Sequence, residues 1–463
     1  MVTAILEFWQ DRCGLDLRSL AVARVLAGLL TLADVILRGL HLREFYTEAG
    51  LLPRPLALQL HPSLSFPSLH IANDTVAYVS LLFVIHGAVG VGLLLGYRTQ
   101  VCSVLVWVLT MSIQARNPLV LNGGDILFSA ILFWGMFLPW GKVWSLDARS
   151  TEPPKHCKVF SAATVGLTFQ MVTLYFFASL HKLEPAWLQE GSAVYYALSI
   201  EHFATPAAEI LLRHPELHRW MTWSVLGFEL VAGFLLLSTR PVVRTLGVFG
   251  CVLLHFGFGA FLELGMFRWF PMIGLLALLP SELWARDKTS VSDEMRKSPV
   301  TVMLLLVTAL TFAINIDSLG KQKHHLIPNT IREFAPVFAS WQSWNVFTGQ
   351  TLYASGWYGI EIRTKSGAHY DVFRDDKPFS NKKPRYVSRD YPTQRWRKWT
   401  MISSSLLKPG PLKQHVLKWW LERWNERHPD DPAEKVQYWY FHEKTYENFR
   451  DAPTEKLLLG EYP

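Results

Sequence analysis

The sequence predicts an all-α polytopic membrane bundle of about nine transmembrane helices, residues 1–317, followed by a small basic α+β extramembrane domain, residues 318–463. Three observations carry this reading. Apolar runs fill the stretch from Leu20 to about Ile316, and polar sequence follows. The charge is divided the same way: from Leu319 onward 23 Lys and Arg face 16 Asp and Glu, and the difference of 7 equals the net charge of the whole chain. The apolar part breaks into segments of a length suited to lipid.

Crossing about 30 Å of hydrocarbon takes around 20 mainly apolar helical residues, because every backbone N–H and C=O must be satisfied within its own segment. Nine stretches qualify, at 20–37, 76–95, 101–112, 126–140, 160–178, 221–237, 243–262, 269–283 and 300–314, the third, fourth, eighth and ninth being short or interrupted. Glu7, Asp11, Arg12 and Asp16 precede the first run, which is therefore read as a retained span rather than a cleaved signal. With the N-terminus inside, thirteen Lys and Arg fall on the inner side, Arg286, Lys288, Arg296 and Lys297 among them, against eight outside. This bias predicts a cell-membrane protein with a cytoplasmic N-terminus. An odd number of spans then puts the C-terminal domain in periplasm or lumen.

The outer loop 41–73 holds Phe45, Tyr46, Leu51, Leu52 and Phe66 among several prolines, a composition suited to a re-entrant or interfacial cap. The connection 184–218 is expected to contain short interfacial helices. In the C-terminal domain the spacing predicts helices at 331–344 and 416–424, a hairpin of 357–363 with 369–373 around Ser366-Gly367, and a strand at 436–441. Residues 374–398 carry nine Lys and Arg against three Asp. A solvated face is the plain reading; the functional one makes Lys382, Lys383 and Arg385 a surface for membrane lipids or an acidic protein client. Nucleic acid is not expected as a partner. The four cysteines are scattered and no P-loop, GxGxxG or HExxH pattern occurs, so neither metal nor nucleotide chemistry is predicted.

Ionisable side chains are costly in hydrocarbon, so they face the bundle interior, pair, or line a cavity. Arg24 and Asp34, ten residues apart in the first span, cannot reach one another; each needs a partner elsewhere, and for Arg24 that is either an internal acid or an anionic ligand. Arg116, Asn117, Asn122 and Asp125 crowd a helix end around Pro118, Gly123 and Gly124, either as a capped turn or as the mouth of a polar cavity. His181 and Lys182 end the fifth span. A lysine there can snorkel to the interface, but an ammonium stripped of water is destabilised relative to the amine, and Lys182 could then serve as a general base, with His181 either sharing the proton or only packing, since neighbours on a helix point about 100° apart. Glu229 and His255, mid-span in the sixth and seventh segments, are either structural partners or the interior of the same cavity.

These residues carry a family resemblance. The chain resembles the horizontally transferred transmembrane (HTTM) domain family, whose best-known branch is the vitamin K-dependent γ-glutamyl carboxylases, over about residues 17–287. The markers are Leu20-Ala-Val-Ala-Arg24, Phe45-Tyr-Thr-Glu-Ala-Gly50, Arg116-Asn-Pro with Asn122-Gly-Gly-Asp125, Trp144-Ser-Leu-Asp147, His181-Lys-Leu with Trp187, and His255 before Phe267. The resemblance implies that Lys182, followed by Leu183, Glu184 and Trp187, is the base that deprotonates a vitamin K-like hydroquinone or another quinone-like, lipid-soluble cosubstrate. It implies a lyase or oxidoreductase of the carboxylase and epoxidase kind. Two departures stand out: Gly124 occupies the place of a carboxylase histidine, and the C-terminal domain is far smaller than the carboxylases' lumenal region. The competing class is a non-catalytic membrane maturation factor or scaffold presenting the basic outer domain to a client.

Overall fold

Each of the nine apolar stretches carries a helix in the computed structural model: α1 Leu17–Gly39, α2 Val76–Leu95, α3 Thr99–Arg116, α4 Gly123–Gly135, α5 Ala162–His181, α6 Pro215–Leu236, α7 Pro241–Phe261, α8 Phe270–Ala277 and α9 Pro299–Ser318. The structure describes residues 2–60, 68–284, 290–295, 298–320, 327–349, 354–374, 376–406, 410–445 and 453–463. Phe66, Arg286, Lys288, Arg296 and Lys297 lie outside these residues. Among the described residues five helices, α1, α2, α5, α7 and α9, are long and apolar enough to cross a membrane. The other four fall short of that measure; α4 has 13 residues and α8 only eight.

The helix starts follow from local chemistry. Orphan N–H groups at a helix start need acceptors, and Asp16, Asn122, Ser161 and Ser298 supply them for α1, α4, α5 and α9. Proline, which has no N–H to satisfy, stands in the first turn of α6, α7, α8 and α9. At the other end of α2, Gly96 takes a left-handed conformation at φ 68° and closes the helix. A Cβ there would collide with the guanidinium of Arg24, so glycine is required by contact as well as by conformation.

The central helix is α5, which packs against α4, α6, α8 and α9. Small residues allow the close approaches. A Cβ on Gly166 would lie 2.2 Å from the Trp134 ring, and one on Gly274 would lie 2.3 Å from the Met171 sulfur. At one end of the bundle, three short strands form a sheet in the order β1-β2-β3: β1 Leu15–Asp16, β2 Lys158–Phe160 and β3 Val291–Asp293. The strands precede α1, α5 and α9 respectively.

The C-terminal region sits at the opposite end of α1, over the loop that follows that helix. Its sheet runs β6-β5-β4-β7-β8, built from β4 Ala354–Thr364, β5 His369–Asp371, β6 Lys377–Pro378, β7 Ala433–Lys444 and β8 Glu455–Tyr462, with every pair antiparallel. The predicted hairpin is present, with Gly367 at φ 86° in its turn. Helix α10 Gln394–Leu406 packs on the 3-10 turn Pro118–Val120 of the bundle, and helix α11 Pro411–Arg427 packs on β7 and β8. Phe45, Tyr46, Leu51 and Leu52 are buried in one apolar cluster with Trp357, Trp399, Trp420 and Tyr438, so the loop after α1 is the floor on which this region stands.

Two sequence expectations are corrected here. The helix expected at 331–344 runs only over Asn329–Phe334 and tightens to a 3-10 turn at Ala335–Phe338, because Pro336 cannot continue the hydrogen-bond ladder. Residues 374–398 do not form a continuous solvated face: Arg395 and Arg397 are buried on α10, an element the basic composition concealed. The strand β8 was also unforeseen.

Candidate functional site

The fifth span ends where its last turn meets α6. Lys182 caps α5, with its N–H on the carbonyl of Ser179, and its side chain turns inward. Its Nζ donates to Glu229 Oε2 on α6 at 2.7 Å, and both residues are only 3% exposed. A longer contact of 3.4 Å joins Nζ to the carbonyl of Ala178. The third side of the ammonium faces the Trp187 ring, 5.3 Å from its centroid. Lys182 therefore does not snorkel; it points into the protein.

The pair closes one wall of an apolar cavity of about 160 Å³. His255 lies on the same cavity and shares a 3.0 Å hydrogen bond between Nε2 and the hydroxyl of Tyr175, a residue on α5 that also lines it. Tyr175 precedes Lys182 by seven residues, two helical turns, which puts both on one face. Trp344 and Phe347, from the segment after α9, complete the lining, and Phe347 accepts a hydrogen bond from Trp187 Nε1 at 3.1 Å. That segment is inserted in the bundle. The Gln342 and Gln170 amides pair at 2.9 Å, and Ser340 meets Thr311 on α9 at 3.0 Å. Two buried polar atoms at the cavity, His255 Nδ1 and Trp344 Nε1, have no hydrogen-bond partner among the described residues.

Of the residues predicted for one site, Lys182, Trp187, Glu229 and His255 are brought together on this cavity. His181 is not: its ring turns to Ser318 on α9, with Nε2 3.0 Å from the hydroxyl. Arg24 donates to the Trp144 carbonyl at 2.6 Å, near the three-stranded sheet's end of the bundle. Arg116 donates to the Leu52 carbonyl and Asn117 to that of Phe45, both at 2.9 Å, so they secure the loop that follows α1. Asn122 caps α4 in a reciprocal box with Asp125 and lines a neighbouring cavity. Gly124 leaves no room for a larger side chain, since a Cβ would lie 2.9 Å from the Phe267 Cα.

Asp125 belongs to a second buried assembly. Arg38 donates to Asp34 at 2.7 Å, to Asp125 at 2.6 Å and to the Tyr46 hydroxyl at 2.9 Å. Arg395 of α10 donates to Asp125 at 2.5 and 2.6 Å, to Asp34 at 3.0 Å and to the Val120 carbonyl at 2.8 Å. Two guanidinium and two carboxylate groups thus cancel inside the protein, joining α1, α4 and α10. Arg395 was missed in the sequence; the signal was Arg395-Trp-Arg-Lys-Trp399, which alternates cations with rings at helical spacing.

On the surface, Lys383 is held by Glu443 at 2.6 Å and by Glu201, while Arg385 lies over the Tyr386 ring and Lys382 is exposed. Burial, partly offset by Lys383, raises the Glu201 carboxyl above its ordinary range.

Comparison with known proteins places these features. The family described as HTTM domain matches residues 14–284, which include Lys182, Glu229 and His255 but neither Trp344 nor Arg395. The sporulation-delaying protein SdpB of Bacillus subtilis (strain 168) is 26% identical over 172 residues, 35% of this chain and 52% of that protein. The chain thus spans about half the length of that relative. No solved structure matches.

Proposed function

Because the chain belongs to the HTTM domain family, we propose that it is a multi-pass membrane enzyme that binds a quinone-like, lipid-soluble cosubstrate and deprotonates it with Lys182. In this reading nine helices cross the bilayer, the N-terminus is cytoplasmic, and residues 318–463 form the outer domain. The observation that carries it is the Lys182–Glu229 pair closing an apolar cavity.

The chemistry follows from the surroundings. In this reading one proton passes from Nζ to Oε2 across their 2.7 Å hydrogen bond, which leaves an amine and a carboxylic acid at the apolar wall. The amine then takes the proton of a bound hydroquinone-type hydroxyl. The ammonium so formed holds the resulting oxyanion, while Glu229 keeps the first proton. Trp187 faces the ammonium, and Tyr175 with His255 offers a second hydrogen-bonding position on the same wall. Resemblance to the carboxylases supports a reaction of the carboxylase and epoxidase kind, with oxygen as co-reactant. Gly124 means that any helper of the base comes from elsewhere, and Glu229 is the group in place.

The test is oxygen consumption by the purified full chain supplied with a reduced naphthoquinone. Wild-type protein is expected to consume oxygen above the uncatalysed rate, and Lys182→Ala to abolish the excess while eluting normally on size exclusion. Mass spectrometry of molecules copurifying from native membranes is expected to find a quinone-class compound. A second reading rests on the exposed Lys382 and Arg385: a maturation factor or scaffold that presents this surface to an acidic client. If Lys182→Ala keeps cellular function and charge reversal at Lys382, Lys383 and Arg385 removes it, the scaffold stands and the enzyme falls.

A further inference from the structure

The cavity that holds Lys182 shares Phe267, Val346 and Phe347 with a second, larger cavity of about 420 Å³. This one lies where α10 meets the N-terminus of α4. Its lining is mixed: Phe203, Leu264, Phe347 and Met401 are apolar, and Arg397 and Lys398 stand among them.

Arg397 is 5% exposed, and its guanidinium lies over the Phe203 ring, 4.7 Å from the centroid. Among the described residues it has no ion-pair partner within 4 Å, and neither has Lys398; Glu263 acts on Arg397 only from farther away. The contrast with Arg395, two residues earlier on the same helix, is direct: that guanidinium has its positive charge matched by Asp34 and Asp125. Burial pushes Arg397 down to about 10, and burial together with Arg397 lowers Lys398. Two adjacent cations in a partly apolar enclosure, beside the positive end of a 13-residue helix, thus have no carboxylate in direct contact among the described residues, Glu263 and Asp125 acting on them only from beyond 4 Å.

We propose that this cavity binds a single-chain anionic amphiphile, its phosphate or carboxylate head against Arg397 and Lys398 and its chain along Phe203, Leu264, Phe347 and Met401. The oxyanion restores what burial costs the two cations, and the rings and Met401 take apolar chain out of water. Neither cation can do this for a neutral lipid. The cavity's size suits one chain rather than a two-chain phospholipid, whose second tail would have to remain outside. This site adjoins the lysine cavity through Phe267, Val346 and Phe347, but its two cations take no part in the lysine chemistry, and the proposal does not depend on that chemistry.

The experiment is native mass spectrometry of the purified full chain released from a non-ionic detergent, titrated with dodecyl phosphate, dodecanoate, dodecanol or inorganic phosphate. One dodecyl phosphate or dodecanoate per chain is expected at concentrations where dodecanol and inorganic phosphate leave no adduct. Arg397→Gln with Lys398→Gln should weaken binding roughly ten-fold or more, the loss of charge-assisted hydrogen bonds. Should that variant misfold, Met401→Trp, which fills the cavity and leaves both cations, decides instead by blocking the adduct. Lys182→Met should bind as wild type does, so failure of the proposed enzyme leaves this result readable. Equal binding of dodecanol, undiminished binding by the folded double variant, or displacement of the amphiphile by an acidic hexapeptide would each overturn the proposal.

Discussion

Two buried charge assemblies lie in this protein, and they are built on opposite principles. In the one formed by Arg38, Asp34, Asp125 and Arg395, each carboxylate accepts from both guanidinium groups, and Tyr46 and a backbone carbonyl take further donors. In the other, a single ammonium meets a single carboxylate at a cavity wall, with one weak backbone contact and one aromatic face for the rest. Saturation makes the first a fastener: no proton can leave without stranding a charge. The second keeps hydrogen-bonding capacity in hand and has space beside it, which is what chemistry needs. Burial alone, equal in the two cases, does not separate structure from function; the partner count does.

The sharpest way to break this contrast is Arg395→Ala. Removing one member of a buried network leaves carboxylate charge unpaired, and the expected loss is ~3–5 kcal/mol. Limited proteolysis should show the C-terminal region detached from the bundle, and a melting curve that matches wild type would refute the fastener. A third buried acid supplies a graded case. Burial pushes Asp371 up to about 6 despite Arg374 at 2.5 Å, so its folded form binds a proton more tightly than the unfolded chain. Stability should therefore be greatest below pH about 4 and fall as pH rises through about 6, by at most ~3 kcal/mol, read as melting temperature against pH. Asp371→Asn should flatten that slope. The smallest effect is expected from Lys182→Met, because Glu229 can take a proton and face the cavity uncharged: ~1–2 kcal/mol by thermal unfolding. A loss as large as that of Arg395→Ala would make the pair structural.

Much of the bundle was legible because lipid imposes one rule on every span, and the nine apolar stretches each contain a helix. Boundaries were set by features plain in the sequence, such as Pro215 and Pro241 at helix starts and Asn122 with Asp125 at another. The pairing of Lys182 with Glu229 was not legible. Nothing local links residues 47 positions apart; only the packing of α6 on α5 does. The same holds more strongly for Arg395, 270 positions from Asp125. Its burial runs against composition, since a segment with so many cations reads as wet. Tyr175 was within reach, because a hydroxyl two turns before Lys182 on an apolar helix needs a partner. His181 was open in the sequence, able to share the proton or only to pack; neighbouring helical residues diverge by about 100°, and its ring meets Ser318 instead.

The three-stranded sheet holds a mechanical consequence. It ties together the chain just before α1, α5 and α9, so three helices from distant parts of the sequence start from one knot. Backbone hydrogen bonds there resist spreading of the helix starts, whereas at the far end, where the lysine cavity lies, the backbone bridge between Ala204 and Leu262 ties the end of α7 to the connection before α6. The bundle is thus a sheaf with three stems bound in one tie, so a strain on any of them at that end is shared with the other two.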